Sequence, residues 1–238
     1  MRLHLLGING PFPESHGATS GYLLEAGDCL FQFDLGSGVL SMLTSLTAPE
    51  LLSALFISHW HFDHIADIPV LLYRLEAFHK VLPVYGPSDP DSAVFRMLSS
   101  SSSFDYHEVS PEQTVSFGNT DVHVFSARHP VPAVGYRISC CGKTICYTGD
   151  TNTLPSLEED CRNCDLLLAD GLFPAEAWNE NKPHLSAELA ARLALNADAR
   201  SLIITHLNPI WPRQQLLEEA RAVFPGARLA SAADIIDL

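Results

Sequence analysis

The stretch Leu55-Phe56-Ile57-Ser58-His59-Trp60-His61-Phe62-Asp63-His64 constrains this chain more than any other. A short apolar run ends, and four metal-capable donors fall within the next six positions, where a helical pattern begins. Residues two apart in an extended segment share a face, so His59 and His61 can point at one cation. A turn into the helix then redirects Asp63 and His64 towards a second. Imidazole and carboxylate together suit Zn²⁺, and Mn²⁺ or Fe²⁺ accept the same donors. A single histidine at a strand end is ordinary, but four donors packed between a strand and a helix are not explained by packing.

Three further candidates stand where apolar runs give way to loops. His129 follows Val122–Arg128, Asp150 ends Ile145-Cys146-Tyr147-Thr148-Gly149-Asp150, and His206 ends Leu202-Ile203-Ile204-Thr205-His206. Ligands on loops at strand ends can converge on one rim of a rigid sheet. His4, His16, His79, His107 and His123 lie alone and read as surface or satisfied core residues. Cys161 and Cys164 form one C-x-x-C pair with no second pair at zinc-ribbon spacing, so the six cysteines read as reduced thiols.

Apolar runs predict strands near 2–8, 20–26, 29–35, 54–58, 81–85, 121–126, 134–139, 143–148, 165–169, 201–205 and 227–230. Leucine and alanine recurring three and four apart predict helices over 38–47, 64–79, 185–196 and 213–223. Ser186 reads as the N-cap of the third helix, which puts His184 just outside its start. The weakly patterned region 87–110, with its serine run 99–103, reads as a mobile loop or lid. A chain of 238 residues can close around one core, so a single domain spanning 1–238 is expected.

The formal charge of -14, from 28 acidic and 14 basic residues, disfavours a broad phosphate-tracking surface. No apolar run is long enough to span a bilayer, and the opening residues lack a signal-peptide pattern; a soluble, cytoplasmic protein is expected.

The run His59-x-His61-x-Asp63-His64 resembles the H-x-H-x-D-H signature of the metallo-β-lactamase superfamily. Phe33-Asp34-Leu35-Gly36-Ser37-Gly38, His129, Thr148-Gly149-Asp150 and Thr205-His206-Leu207 match the family's other motifs in order. The resemblance implies a four-layer αβ/βα sandwich, two mixed β-sheets face to face with helices outside. It implies one divalent metal on His59, His61 and His129, and a second on Asp63, His64 and His206, with Asp150 bridging. Asp34 would orient a ligand from behind.

Within the superfamily, Pro183-His184-Leu185-Ser186-Ala187-Glu188, with His206 following His184 by 22 positions, is similar to the phosphodiesterase and ribonuclease Z branch. That branch uses the extra histidine in catalysis and orients it with an acidic residue, usually glutamate. Here the shorter Asp170 occupies that place, so the resemblance implies catalytic roles for His184, Asp63 and Asp170. Only 20 residues lie between His129 and Asp150, too few for the arm by which ribonuclease Z grips transfer RNA, so tRNA is disfavoured as a partner. The resemblance also suggests a homodimer.

Two metals can hold a bridging water and lower its pKa to roughly 7, which supplies hydroxide at neutral pH. The expected activity is therefore phosphodiester hydrolysis on a small or cyclic anionic ester. A carboxyl-ester, lactone or thioester hydrolase or a β-lactamase is the alternative, and a non-catalytic metal-binding sensor the second.

Overall fold

The computed structural model describes residues 1–238. Eleven apolar segments form strands where their patterning predicts, and three more complete two sheets of seven strands each. The first sheet is built from β1 (Arg2–Gly7), β2 (Gly21–Ala26), β3 (Cys29–Phe33), β4 (Ala54–Phe56), β5 (Leu82–Gly86) and β6 (Phe104–Glu108). The second contains β7 (Thr114–Phe117), β8 (Thr120–Ser126), β9 (Val134–Cys140), β10 (Lys143–Tyr147), β11 (Leu166–Asp170), β12 (Leu202–Thr205) and β13 (Arg228–Leu229). The last strand, β14 (Ile235–Asp237), returns to the first sheet and pairs antiparallel with β1.

Both sheets are mixed in the same way. Strands β3 to β6 run parallel, as do β10 to β13, and antiparallel strands extend each sheet on the other side. Parallel strands need crossovers, and helices supply them. These are α1 (Val39–Leu46), α2 (Phe62–Ile65), α3 (Ile68–Ala77), α4 (Ala93–Ser100), α5 (Leu157–Asp160), α6 (Ala187–Asn196) and α7 (Arg213–Val223).

The burial follows from this layering. Tyr22, Phe31, Phe33, Phe56 and Tyr136 pack between the two sheets with Val122, Val124 and Leu168. A second cluster joins the outer face of the second sheet to α6 and α7 through Leu167, Ile204, Ala190, Ala194 and Leu216. A third lies under α1, α3 and α4, through Leu43, Leu55, Leu71 and Leu98. The result is the four-layer αβ/βα sandwich. No helix is long and apolar enough to cross a membrane.

Two expectations need correcting. The region 87–110 is not a loop: it folds into α4, capped by the Ser92 hydroxyl accepting from Phe95 N, and into β6 at the sheet edge. Phe95 and Leu98 bury themselves, and the Phe95 ring meets Trp60 edge-on at 5.1 Å. The mostly exposed serines that follow these anchors mask a short amphipathic helix.

The helix expected over 64–79 is broken into α2 and α3. Asp67 N–H leaves the helical ladder for Leu35 O, and Pro69, which has no N–H to give, stands in the first turn of α3.

Candidate metal centre

Every candidate donor sits at the same end of the two sheets. Asp34, His59, Asp150, Asp170 and His206 all lie at or just beyond the C-terminal ends of strands that run parallel to a neighbour, namely β3, β4, β10, β11 and β12. His129 follows β8, which is antiparallel to β9 as β9 is to β10, so its end shares that rim. Crevices outside the carboxyl ends of parallel strands are where open α/β sheets place ligands.

The strands must turn sharply there. Asp34 and His206 both adopt the left-handed conformation, with φ of 51° and 56°, a backbone strain that non-glycine residues rarely carry. Gly149 does so at φ 58°, and a Cβ there would come within 2.9 Å of Val134 O. A Cβ on Gly10 would fall 2.1 Å from the His206 imidazole, so only glycine lets the opening loop cover that ring.

The donors gather in two groups that share one carboxylate. His59, His61, His129 and Asp150 form the first, and Asp63, His64, Asp150 and His206 the second. In the first, Nε2 of His59 and Nε2 of His129 each lie 3.0 Å from His61 Nδ1, and His59 Nε2 lies 3.5 Å from Asp150 Oδ2. Donors around a tetrahedral zinc are spaced by about 3.4 Å, given metal–nitrogen distances of about 2.0–2.1 Å. In the second group, His64 Nε2 is 3.2 Å from Asp150 Oδ1, and His206 Nε2 is 3.6 Å from Asp63 Oδ2.

The opposite ring atoms explain which nitrogens are free. His129 Nδ1 donates to Pro183 O at 3.1 Å, and His64 Nδ1 donates to Asp34 Oδ2 at 2.7 Å. Their Nε2 atoms are therefore lone pairs directed inward. Asp34 is itself pinned, accepting from Ser58 N, Ser58 Oγ and the Tyr147 hydroxyl. Nε2 of His64, Nε2 of His206 and Oδ1 of Asp150 are buried with no hydrogen-bond partner. Such orphans cost folding free energy unless something binds them. Three converging on one point fit a divalent cation.

The electrostatics agree with neutral imidazoles as ligands. Burial pushes His59, His61 and His206 down, and takes His129 down to about 4. Burial raises Asp63 to about 6. His64 stands apart: burial opposes its charge, yet Asp150, Asp34 and Asp63 together push it well up. An extra positive charge is what this acidic cluster lacks, and a cation would supply it.

A third group brings His184 and Asp170 to Asp150. His184 Nδ1 lies 2.9 Å from Asp170 Oδ2, so the aspartate reaches despite its short side chain. It can do so because Asp170 ends β11 directly beneath the histidine, buried, with its carboxylate also accepting from Thr151 N and Leu172 N. The His184 ring stacks at 5.0 Å on His206 and meets His129 at 5.3 Å, between the two donor groups. Burial opposes charge on His184, but Asp170 and Asp150 raise it to about 9. The Ser186 N-cap of α6 is formed, with its hydroxyl accepting from Leu189 N.

Other sequence readings also find their place. Trp60 packs, buried, with its indole N–H donating to Pro87 O, while Phe62 stands exposed. The isolated histidines stay outside the donor groups, His4 on Glu25 and His107 on Asp105 among them. All six cysteines are free thiols, and none joins a donor group. Sequence reasoning missed Ser20, whose hydroxyl lies 3.0 Å from His206 Nδ1, and Tyr147, whose hydroxyl holds Asp34. Neither carries a motif, and both are brought in where one sheet packs against the other.

Comparison with known proteins points the same way. Residues 28–207 match the family described as beta-lactamase superfamily domain. The chain is 33% identical over 232 residues to the probable metallo-hydrolase YhfI of Bacillus subtilis, covering 95% of each. The crystal structure of YhfI superposes with a TM-score of 0.93 over 99% of this chain and 98% of that one. Ribonuclease Z of Methanosarcina mazei is 25% identical over 300 residues, covering 100% of this chain and 97% of its own. Human short-form tRNase Z, 21% identical, shares the fold with a TM-score of 0.82 over 100% of this chain and 99% of that one. With this match and these relatives, the chain belongs to the metallo-β-lactamase superfamily of metal-dependent hydrolases.

Proposed function

We propose that this protein is a phosphodiesterase that uses two divalent cations, most simply Zn²⁺, to hydrolyse a small anionic phosphate ester. The observation that carries the reading is the Asp170–His184 pair, placed at 2.9 Å beside the shared carboxylate Asp150. A histidine so placed can donate to the equatorial charge or to the leaving oxygen of a phosphodiester.

His59, His61 and His129 would hold one cation and Asp63, His64 and His206 the other, with Asp150 between them. When bound, the cations supply Lewis acidity and a nucleophile available at neutral pH. The chain's own groups do the rest. Asp170 fixes the proton on His184 Nδ1, which sets the tautomer and ring orientation and leaves Nε2 for the ester. The burial of His59, His64 and His206 keeps water from competing for the donors.

Similarity to ribonuclease Z of Methanosarcina mazei and to the fold of yeast PDE1 supports the phosphodiester class. A zinc-bound neighbour, PqqB of Methylobacterium extorquens, supports the metal. Transfer RNA is a poor fit, because the chain carries a net charge of -14 and the β8–β9 and β9–β10 connections are short.

The test is turnover of metal-analysed protein on bis(p-nitrophenyl) phosphate beside nitrocefin and a thioester, with Asp150→Ala as control. Diester cleavage lost in the variant is expected. Cleavage of nitrocefin or the thioester alone would move the protein to the carboxyl hydrolases, and inactivity on all three would favour a sensor.

A further inference from the structure

The site faces an anionic ester from a strongly acidic chain, so the free cations near its mouth matter. Of the cations elsewhere on the chain, Arg74, Lys143, Arg192, Arg200 and Arg213 are each paired with a carboxylate. Lys182 has no such partner. It is half-buried, two residues from His184, and its ammonium stands 5.2 Å over the Phe173 ring. That ring lies 6.1 Å from the His184 imidazole.

The backbone around Lys182 is fixed to the centre at several points. Asn152, two residues beyond Asp150, donates from its side chain to Lys182 O. Pro183 O accepts from His129 Nδ1, and His184 O accepts from the Trp178 indole N–H at 3.0 Å. Arg128, just before His129, spends its guanidinium on Glu180 O at 3.0 Å. Arg128 therefore anchors the 179–184 segment, and Lys182 is left as its unpaired cation. A cation resting on an aromatic face is held in position by the ring quadrupole while keeping its charge.

We propose that Lys182 is a specificity-determining cation that selects diesters carrying a second negative charge, such as a diphosphate diester, over singly charged ones. The inference rests on the phosphodiesterase reading above. While Asp170 and His184 serve the reacting phosphate, the Lys182 ammonium lies one aromatic ring farther out, where a neighbouring phosphate or equivalent anion would sit.

The test compares zinc-loaded wild type, Lys182→Met and Lys182→Arg on bis(p-nitrophenyl) phosphate and on P1,P2-bis(p-nitrophenyl) diphosphate, followed by phosphorus NMR. Lys182→Met is expected to raise KM for the diphosphate diester about tenfold, with kcat within about twofold, and to leave the monophosphate diester unchanged. Lys182→Arg should restore most of the loss. An equal KM rise on both substrates, or a fall in kcat alone, overturns the proposal.

If wild type cleaves neither diester, the phosphodiesterase reading fails separately, and calorimetric titration with AMP and ADP decides about Lys182. ADP binding weakened about tenfold by Lys182→Met, with AMP unchanged, upholds it. Equal ADP affinity in the two proteins overturns it.

Discussion

The Ser20 hydroxyl lies 3.0 Å from His206 Nδ1, and the Ser20 backbone N–H donates to Asp63 O at 3.1 Å. One buried residue on the approach to β2 thus holds two members of the same donor group, one through its side chain and one through its main chain. Its carbonyl accepts from Gly36 N as well, which joins it to the loop after Asp34. Outer partners of this kind fix the tautomer and orientation of a ligand imidazole. Ser20→Ala should therefore loosen the second cation by about 10–100-fold while the first stays bound. Chelator competition with metal analysis checks this; loss of both cations together would mean that the variant disturbs the fold.

His184→Ala should keep both cations and lose about 10²–10⁴-fold in kcat on bis(p-nitrophenyl) phosphate, the range expected for a missing proton-transfer group. Asp170→Asn should fall between wild type and that variant, because an amide can present its oxygen to His184 Nδ1 but carries no charge. Metal content and kcat measured on the same preparations separate these outcomes, and loss of metal in His184→Ala would make this residue a ligand.

Gly10→Ala tests how closely the opening loop covers His206. The added methyl would lie 2.1 Å from the ring, so either the loop or the imidazole must move. Overpacking of this kind costs about 1–3 kcal/mol. A lower thermal midpoint together with weaker metal retention is expected, whereas unchanged metal affinity would show that the loop yields and the ligand does not.

Asp165 gives a pH dependence remote from the centre. Burial opposes its charge, but Thr144 N at 2.9 Å, Lys143 and Arg200 hold its carboxyl below the usual range. A depressed native pKa stabilises the fold above the unfolded value of about 3.9, and that contribution disappears as pH falls through the native value. Asp165→Asn should therefore cost about 1 kcal/mol at pH 7, since the lysine and arginine are exposed and screened. The difference from wild type should shrink below about pH 4, which denaturant titrations at both pH values would reveal.

Chelation should destabilise the protein. His64 Nε2, His206 Nε2 and Asp150 Oδ1 have no other partner, so the cation-free state keeps three buried orphans. A ligand present at 100 times its dissociation constant stabilises by about 2.7 kcal/mol. Thermal unfolding with and without EDTA should differ by several degrees; coincident curves would indicate that the centre binds no metal.

Local patterning carried much of the architecture. Runs such as 202–204 and 166–169 are apolar throughout because parallel strands are buried on both faces, and that composition is visible without a structure. The donor motif was equally legible, since strand periodicity and a helix start are local properties. Strands β6, β7 and β14 were not, because they lie at or near sheet edges, where alternation is weak and pairing depends on a distant partner. β14 meets β1 across almost the whole chain, with Leu3 opposite Ile236.

Sequence alone therefore determined the residue types, their order and the strand ends that carry them, and these sufficed to nominate His59, His61, Asp63, His64, His129, Asp150, His184 and His206. Only the tertiary structure decided that the short Asp170 reaches His184, that Ser20 stands behind His206, that Lys182 remains unpaired, and that Asp34 and His206 accept a left-handed backbone. These are relations between residues as many as 186 positions apart, set by sheet register and chain crossing, and no local pattern encodes them.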